Sequence, residues 1–206
     1  MPVMTELEFR TIDLRNLSDS EAITLNNLFN AERAERVPED PPIPISERLA
    51  GWQNIPKRIN LETFVFSDAN RIVAYGGTDF ELEGENTHMC WADISVLPEF
   101  RRQGLAKKLL ERILQVAKRE NRRTMIFGTS ERIPAGVAFA EKIGAKRGIE
   151  NHSNRLMITE LDHDMLKRWI SDAPVEEFEL GFYIGDRKST RLNSSHLRLS
   201  RMPSSA

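Results

Sequence analysis

The chain has 206 residues, of which 40% are hydrophobic and 29% charged, and its formal net charge is -2. This composition excludes a disordered chain, and the near-neutral charge gives no reason to expect a nucleic-acid-binding protein. The single cysteine, Cys90, has no partner for an internal disulfide, and no apolar run approaches the ~20 residues that cross a bilayer. The acidic, weakly apolar first ten residues are unlike a secretory signal, so we expect a cytoplasmic protein.

The first quarter of the sequence predicts one strand followed by two helices. Residues Leu7–Leu14 alternate between apolar and polar side chains, which is the pattern of a half-buried strand. Ser18 and Glu21 have the spacing of a capping box, which opens an amphipathic helix. Four prolines in residues 38–44 end that helix in an extended loop. A second helix is predicted from Ser46 to about Asn54.

The middle of the chain predicts a hairpin, a further strand and a long helix. Phe64–Ser67 and Arg71–Phe80 form the two arms of the hairpin around Asp68-Ala69-Asn70. Another strand is predicted at about His88–Val96. Apolar residues then recur at a helical period from Leu105 to Ala117.

The rest of the chain predicts short strands alternating with helices. These elements are a strand at Thr124–Thr129, a helix at Pro134–Ile143 followed by Gly144, a strand pair at Arg147–Glu150 and Arg155–Leu161, a helix at Asp162–Ile170, and a strand at Phe178–Ile184. This order favours an α/β protein with a mixed sheet covered by helices.

The last segment, Asp186–Ala206, differs from the rest because it is basic and rich in serine. Such a tail is typical of an arm that binds nucleic acid or a membrane surface. Its sequence, however, resembles the translation of a sequencing adapter, so we exclude it from the fold analysis. We expect this tail to be unstructured and non-native, and the natural protein to continue beyond Gly185.

The candidate binding site is the junction between the strand that ends at Val96 and the helix that begins near Leu105. The segment Arg101-Arg102-Gln103-Gly104-Leu105-Ala106 brings free backbone N–H groups and positive charge to a helix start, where a pyrophosphate is stabilised. Gly104 leaves room for the phosphate, so we expect it to affect affinity rather than stability. A polar loop before an ordinary amphipathic helix is the simpler alternative. The apolar strand ending in Val-x-Pro and the sustained helix favour the binding site.

This pattern resembles the GNAT acyltransferase family over about Glu6–Leu161, most specifically over Asp93–Ala117, with a weaker second block at Ala138–Ala145. The resemblance implies a GNAT-like mixed, mostly antiparallel central sheet with helices on both faces. It also implies acetyl-CoA or another acyl-CoA as cofactor. The positions that we assign to the cofactor are Ile94, Ser95, Val96, Arg101, Arg102, Gln103, Gly104, Leu105, Ala106 and Lys107.

The catalytic positions match the family less well. Acyl transfer to an amine needs a neutral amine, a stabilised oxyanion and a proton for the leaving thiolate. The tyrosine that supplies the proton in many relatives corresponds to Ala140, and a frequent asparagine corresponds to Ile133. We therefore predict Tyr75 as the substitute acid. Asp93 or His88 is the candidate base, although Asp93 is equally explained as a solvent-facing residue or an ion-pair partner.

The predicted function is an N-acyltransferase that moves an acetyl or similar group from acyl-CoA to a small-molecule or peptide amine. The alternative is an inactive CoA-binding or scaffolding half of a tandem-GNAT protein, as in families that resemble mycothiol synthase. The missing tyrosine motivates this alternative, as does Val175–Ile184, which resembles the opening strand of a second unit.

The predicted domain limits are 1–161 for the acyl-CoA-binding domain, 162–185 for a linker helix and the start of a truncated second unit, and 186–206 for the tail. The partners expected besides the amine are a second copy of the chain or a missing second GNAT domain, with neither nucleic acid nor membrane. His152, Glu160 and His163 lack the spacing of metal ligands, so no metal is predicted.

Overall fold

A computed structural model describes residues 7–152 and 154–173 of the chain. The chain divides into two compact units, Met1–Gly148 and Ile149–Ala206, which are described separately. The described elements of the first unit are β1 (Glu8–Ile12), α1 (Asp19–Arg36), α2 (Ile45–Gln53), β2 (Ile59–Asp68), β3 (Arg71–Glu81), β4 (Met89–Val96), α3 (Leu105–Arg119), β5 (Thr124–Ile126) and α4 (Pro134–Lys142).

The five strands form one sheet in the order β1-β2-β3-β4-β5. The first three pairings are antiparallel, and β5 pairs with β4 in parallel. The parallel pairing follows from α3, which crosses over between the two strands, as a parallel connection requires. The sheet is therefore mixed and mostly antiparallel, which confirms the predicted fold class.

Helices cover both faces of this sheet. The Tyr75 ring in β3 meets the ring of Phe29 in α1 edge-on, with ring centroids 4.9 Å apart. On the next residue, Gly76, an added Cβ would lie 2.9 Å from the Cβ of Leu109 in α3. Because successive residues of a strand face opposite sides of the sheet, α1 and α3 pack on opposite faces.

The predicted elements are largely present, with shifted ends. The capping box is confirmed, since the Ser18 hydroxyl accepts the Glu21 N–H and the Glu21 carboxylate accepts the Ser18 N–H at 3.0 Å. β1 ends at Ile12, before Leu14, because Asp13 caps a short 3-10 turn instead of continuing the strand. β2 begins at Ile59, five residues before the predicted Phe64, and β5 ends at Ile126 rather than Thr129.

The strand pair predicted at Arg147–Glu150 and Arg155–Leu161 is wrong for the residues that the structure describes. No strand is present in either range, and the second contains a 3-10 turn at Ile158–Glu160. The apolar side chains of this stretch are open to solvent, with Ile149 91% and Leu156 68% exposed. The sequence pattern alone predicted the strands, but a strand also needs a neighbour to pair with its backbone.

In the second unit the described helix is α5 (His163–Ser171), which confirms the helix predicted at Asp162–Ile170. It begins where the Asp162 carboxylate accepts the backbone N–H groups of Asp164 and Met165, at 3.1 and 2.8 Å. The predicted strand at Phe178–Ile184 and the tail at Asp186–Ala206 lie outside the described residues. Among the helices that the structure describes, none has both the length and the apolar character needed to cross a membrane.

Candidate functional site

The loop between β4 and α3 has an unusual backbone conformation. After Val96, the Leu97 N–H donates to the Val73 carbonyl at 3.0 Å, which continues the pairing with β3, and a 3-10 turn follows at Pro98–Phe100. Arg102 then has φ = 63° and Gly104 has φ = 81°, both in the left-handed region. A non-glycine residue held there stores strain of about 1–3 kcal/mol, which is most common at functional sites.

The start of α3 presents a row of backbone donors. The Lys108 N–H bonds to the Gly104 carbonyl at 3.1 Å, and Gly104 has no side chain with which to cap the helix. Within the described part of the chain, the N–H groups of residues 102–107 have no protein acceptor. Free donors at a helix N-terminus, together with the helix dipole, form a site for an anion such as a phosphate.

Gly104 is suited to this loop for two reasons. A Cβ added there would meet nothing within 4 Å, so the space in front of the amides is open, as predicted. Its φ of 81° is also one that L-residues avoid, at a cost of about 1–2 kcal/mol. The expectation that Gly104 does not affect stability is therefore wrong, because almost any other residue here strains the backbone. Its effect on affinity stays a prediction.

Arg101 faces the protein rather than the open side of the loop. Its Nε donates to the Val96 carbonyl at 3.0 Å, and its two terminal nitrogens donate to the Glu35 carboxylate in α1 at 3.0 and 2.7 Å. The Arg101 guanidinium therefore positions the loop. The exposed cations beside the free amides are Arg102, Lys107 and Lys108.

β4 has an unpaired edge next to this loop. The Leu97 bond to Val73 and the antiparallel ladder place the N–H and C=O groups of Ala92, Ile94 and Val96 on the side away from β3. β5 lies on that side, but its pairing with β4 ends at Trp91 opposite Ile126. Beyond that point the β4 edge is open at the N–H and C=O of Ile94 and at the N–H of Val96, two positions assigned to the cofactor, while the Val96 C=O accepts from Arg101.

On the face covered by α1, the hydroxyl of Tyr75 lies above Gly77. A Cβ added at Gly77 would fall inside contact distance of this hydroxyl and 2.9 Å from the Tyr75 Cζ, so the missing side chain makes room for the phenol. Gly77 is the register partner of Asp93 in β4, and directly opposed residues share a face. The two predicted catalytic residues, Tyr75 and Asp93, therefore lie on one face of the sheet around Gly77.

The pKa values of the ionisable residues around Gly77 are raised, which favours their protonated forms. Asp93 is exposed at the surface, yet desolvation by the surrounding protein raises its pKa, and the charge of Glu32 raises it further. Burial also raises the pKa of Asp79. The pKa of Tyr75 is strongly raised by burial and then by the charges of Asp93 and Asp79. Shifted carboxyl groups of this kind are typical of functional sites.

The other candidates lie elsewhere. His88 immediately precedes β4 and lies five residues before Asp93 along the chain. Its backbone carbonyl accepts the N–H groups of Arg123 and Thr124. Cys90 is 1% exposed and burial raises its pKa, so it is an inert buried thiol. Among the described residues no group of three or more His, Cys, Asp or Glu side chains is placed to hold a metal ion.

Sequence reasoning missed four residues of this region: Glu32, Glu35, Gly77 and Asp79. Glu35 lies 66 residues from Arg101, and no local pattern connects the two. Gly77 and Asp79 become relevant only through the β3–β4 register, which the sequence leaves open. A conspicuous Gly76-Gly77 pair within a predicted strand was the one available signal, because glycine in a strand often marks a close approach of other groups.

Comparison with known proteins places this geometry in a family. The sequence model of the acetyltransferase (GNAT) family matches residues 24–145. None of the curated protein sequences compared with the chain matches it significantly.

Solved structures with the same fold share little sequence with the chain. The aminoglycoside N-acetyltransferase AAC(6')-Iy in complex with CoA is 17% identical, with a TM-score of 0.53 over 76% of this chain and 98% of that one. The aminoglycoside acetyltransferase meta-AAC0020, from an uncultured soil metagenomic sample and bound to sisomicin, is 20% identical with a TM-score of 0.54 over 73% and 97%. The ribosomal-protein-alanine N-acetyltransferase of Brucella melitensis biovar Abortus is 16% identical with a TM-score of 0.53 over 74% and 100%. At such identities the likeness to these structures shows the fold alone. The family model, however, covers more than half of the chain. The protein therefore belongs to the acetyltransferase (GNAT) family.

Proposed function

We propose that this chain is an N-acyltransferase that binds acyl-CoA, with acetyl-CoA as the simplest donor, and transfers the acyl group to an amine. The observation that carries the proposal is the row of free N–H groups at residues 102–107, next to the open edge of β4. Two neighbours in fold support the ligand classes, since one was solved with CoA and another with the amine sisomicin.

The residues of the loop fit the cofactor. The pyrophosphate would accept hydrogen bonds from the N–H groups of residues 102–107, with Arg102 and Lys107 adding positive charge. The open space at Gly104 lets an anion approach the backbone. The N–H and C=O of Ile94 and the N–H of Val96 would hold the pantetheine arm as a further strand would be held. Acyl-CoA, when bound, supplies an activated thioester.

Asp93 is the proposed general base. An amine attacks only when it is neutral, and at neutral pH most amines carry a proton that a base must accept. A carboxylate with a raised pKa is a better proton acceptor than an ordinary aspartate, and desolvation has this effect on Asp93. In this role a carboxylate oxygen of Asp93 takes the proton from the acceptor ammonium.

Tyr75 is proposed as a hydrogen-bond donor at the same site. Burial raises its pKa and keeps the phenol protonated, so its O–H is available to the acceptor or to the developing oxyanion. The same raised pKa makes Tyr75 a weaker acid than an ordinary tyrosine, which disfavours it as the proton source for the thiolate. The family position for that acid is Ala140 in the predicted alignment, which has no proton to give.

The test is acyl-CoA turnover with an amine panel, followed as release of free thiol. We expect turnover with at least one amine, and we expect Asp93→Asn to lower kcat by about 10²–10⁴, the usual contribution of a general base. Glu120→Gln, at the far end of α3, is the matched control and should not change kcat. CoA binding without turnover on any amine would favour the alternative of an inactive CoA-binding domain, which Ala140 motivates.

A further inference from the structure

We propose that the acceptor carries at least two amino groups, an inference that rests on the proposed acyl transfer. The second amino group binds as an ammonium in a niche above Gly77. This niche is formed by Asp79, Asp93, Glu32 and Tyr75. The niche lies on the face of the sheet covered by α1.

The floor of the niche is the backbone of Gly77. Tyr75 and Asp79 lie two residues to either side of Gly77 in β3, and Asp93 lies directly opposite in β4. Because residues two apart in a strand share a face, all three side chains surround the position where Gly77 has none. The missing side chain makes room there for the Tyr75 hydroxyl, which lies between the positions of the two carboxylates.

The niche carries carboxylates that no cation in the described structure neutralises. Neither Asp79 nor Asp93 forms an ion pair with any residue that the structure describes. Asp79 is only partly accessible to solvent, and it makes no side-chain hydrogen bond with another described residue. A half-buried carboxylate without a partner is costly, and a cationic ligand would remove that cost.

Glu32 of α1 adds a third carboxylate, close enough to raise the pKa of Asp93. The basic groups on this side already have partners. Arg36 donates to Glu32 at 3.0 Å, one turn away in the same helix. Arg48 of α2 donates to the Asn26 side chain at 2.7 Å and stacks over the Phe29 ring at 5.2 Å. Arg36 thus offsets the charge of Glu32, and the carboxylates of the niche that form no ion pair with a described residue are Asp79 and Asp93.

Tyr75 supplies an independent sign of a ligand. The residue is 5% exposed, and its hydroxyl has no hydrogen-bond partner among the described residues but keeps contact with solvent, since it is not one of their fully buried unpaired atoms. The hydroxyl points over Gly77, into the space between the carboxylates. A hydroxyl without a protein partner on a mostly buried side chain is available to a hydrogen-bonding ligand. An ammonium in the niche would donate one of its three N–H groups to this oxygen.

The number of carboxylates argues for a second amino group. The attacking amine becomes neutral when Asp93 takes its proton, so it no longer needs a counter-charge. Asp79 then remains, and a single amine leaves it without a cation, whereas Glu32 already forms an ion pair with Arg36. Asp79 is the diagonal neighbour of Asp93 across β3 and β4, about 7–8 Å between Cα atoms. That separation suits two amino groups on one small flexible or cyclic acceptor.

The experiment compares 1,4-diaminobutane with butylamine by isothermal titration, with and without saturating CoA, at a pH where both are protonated. A diamine gains a factor of about two from its two equivalent ends. We expect the wild type to bind the diamine at least ~20-fold more tightly than the monoamine, since an added charge-assisted hydrogen bond is worth about tenfold or more. Asp79→Asn should reduce this ratio to about the statistical factor of two, and Glu111→Gln on the other face of the sheet should keep it.

The variant is expected to fold, because burial disfavours the charged form of Asp79. Any of three results would overturn the niche. The wild type could bind the diamine only about twofold more tightly than the monoamine, or bind neither amine measurably. Alternatively, Asp79→Asn could keep the full preference for the diamine. A separate result would contradict the proposed acyl transfer, namely that CoA titrated into the protein without an amine does not bind. Because the amine titrations are also run without CoA, that failure still leaves the niche tested.

Discussion

The guanidinium of Arg101 and the carboxylate of Glu35 form a two-armed ion pair, with N–O distances of 3.0 and 2.7 Å. The same guanidinium donates through Nε to the carbonyl of Val96, the last residue of β4. One side chain thus joins the end of β4, the loop with the free amides and the helix on the acceptor side. The loop geometry depends on α1 as well as on its own sequence.

We predict that Glu35→Gln weakens CoA binding although Glu35 is not part of the cofactor site. Both partners are partly exposed, so the pair contributes at most about 1 kcal/mol to stability. We expect a small decrease in the melting temperature and an increase in the Kd for CoA of about threefold to fivefold, the equivalent of ~1 kcal/mol. Arg101→Ala should have a larger effect, because it also removes the bond to Val96. If isothermal titration gives the wild-type Kd for both variants, the loop does not depend on this pair.

We predict that Gly77→Ala damages the acceptor site more than the cofactor site. The new methyl group would meet the Tyr75 hydroxyl inside contact distance, and the rigid phenol can escape only by moving the ring. We expect turnover to fall at least ~10-fold, the usual scale for a misplaced catalytic group, while the Kd for CoA changes less than twofold.

Tyr75→Phe tests the cause of the Gly77→Ala effect, because it removes the clashing oxygen but leaves Cζ at 2.9 Å. The double variant should therefore be more stable to thermal unfolding than Gly77→Ala alone. A double variant that is less stable by the full sum of the single changes would show that the two residues do not interact.

We predict that Asp93→Asn stabilises the folded protein at neutral pH while lowering activity. Desolvation and Glu32 raise the pKa of Asp93 above its ordinary value of 3.8, so the folded state binds more protons than the unfolded state between 3.8 and the raised pKa. The wild type therefore loses stability as the pH rises through that interval, and the loss persists above it. The variant has no such titration, so its advantage in melting temperature should grow from pH 4 to pH 7. An advantage that shrinks over this range would contradict the direction of the shift.

The sequence predicted the elements whose signals are local. The Ser18–Glu21 capping box and the apolar face of Leu105–Ala117 each depend on residues within a few positions, and both are confirmed. The strand pair near Arg147 and Arg155 was wrong, because a strand depends on a distant partner that alternation does not reveal.

The candidate site was predictable on the cofactor side for the same reason. The free amides follow from one continuous loop and helix start, around Gly104. The acceptor side depends on the register that puts Gly77 opposite Asp93, and on the ring of Tyr75 leaning over Gly77. No local sequence pattern predicts either relationship, so Asp79 and Glu32 were identified as part of the site only from the structure.

We predict that Gly104→Ala lowers stability by about 1–2 kcal/mol, because alanine must adopt φ = 81°. Gly104→Asn should lose less, since asparagine tolerates the left-handed region better than other side chains. Denaturant unfolding of the two variants checks the order. Equal stabilities would mean that the loop relaxes to another conformation.

The most direct test of the acyl-CoA site is the titration of CoA into the wild type, Gly104→Glu and Gln115→Glu. Glutamate at Gly104 would put a carboxylate and its bulk in the open space before the free amides. Gln115→Glu adds the same charge to an exposed position farther along α3. We expect Gly104→Glu to lose at least about tenfold in affinity, the equivalent of one charge-assisted hydrogen bond, and Gln115→Glu to bind as the wild type does. A folded wild type that does not bind CoA, or a folded Gly104→Glu variant that binds it equally well, would contradict the assignment of this site.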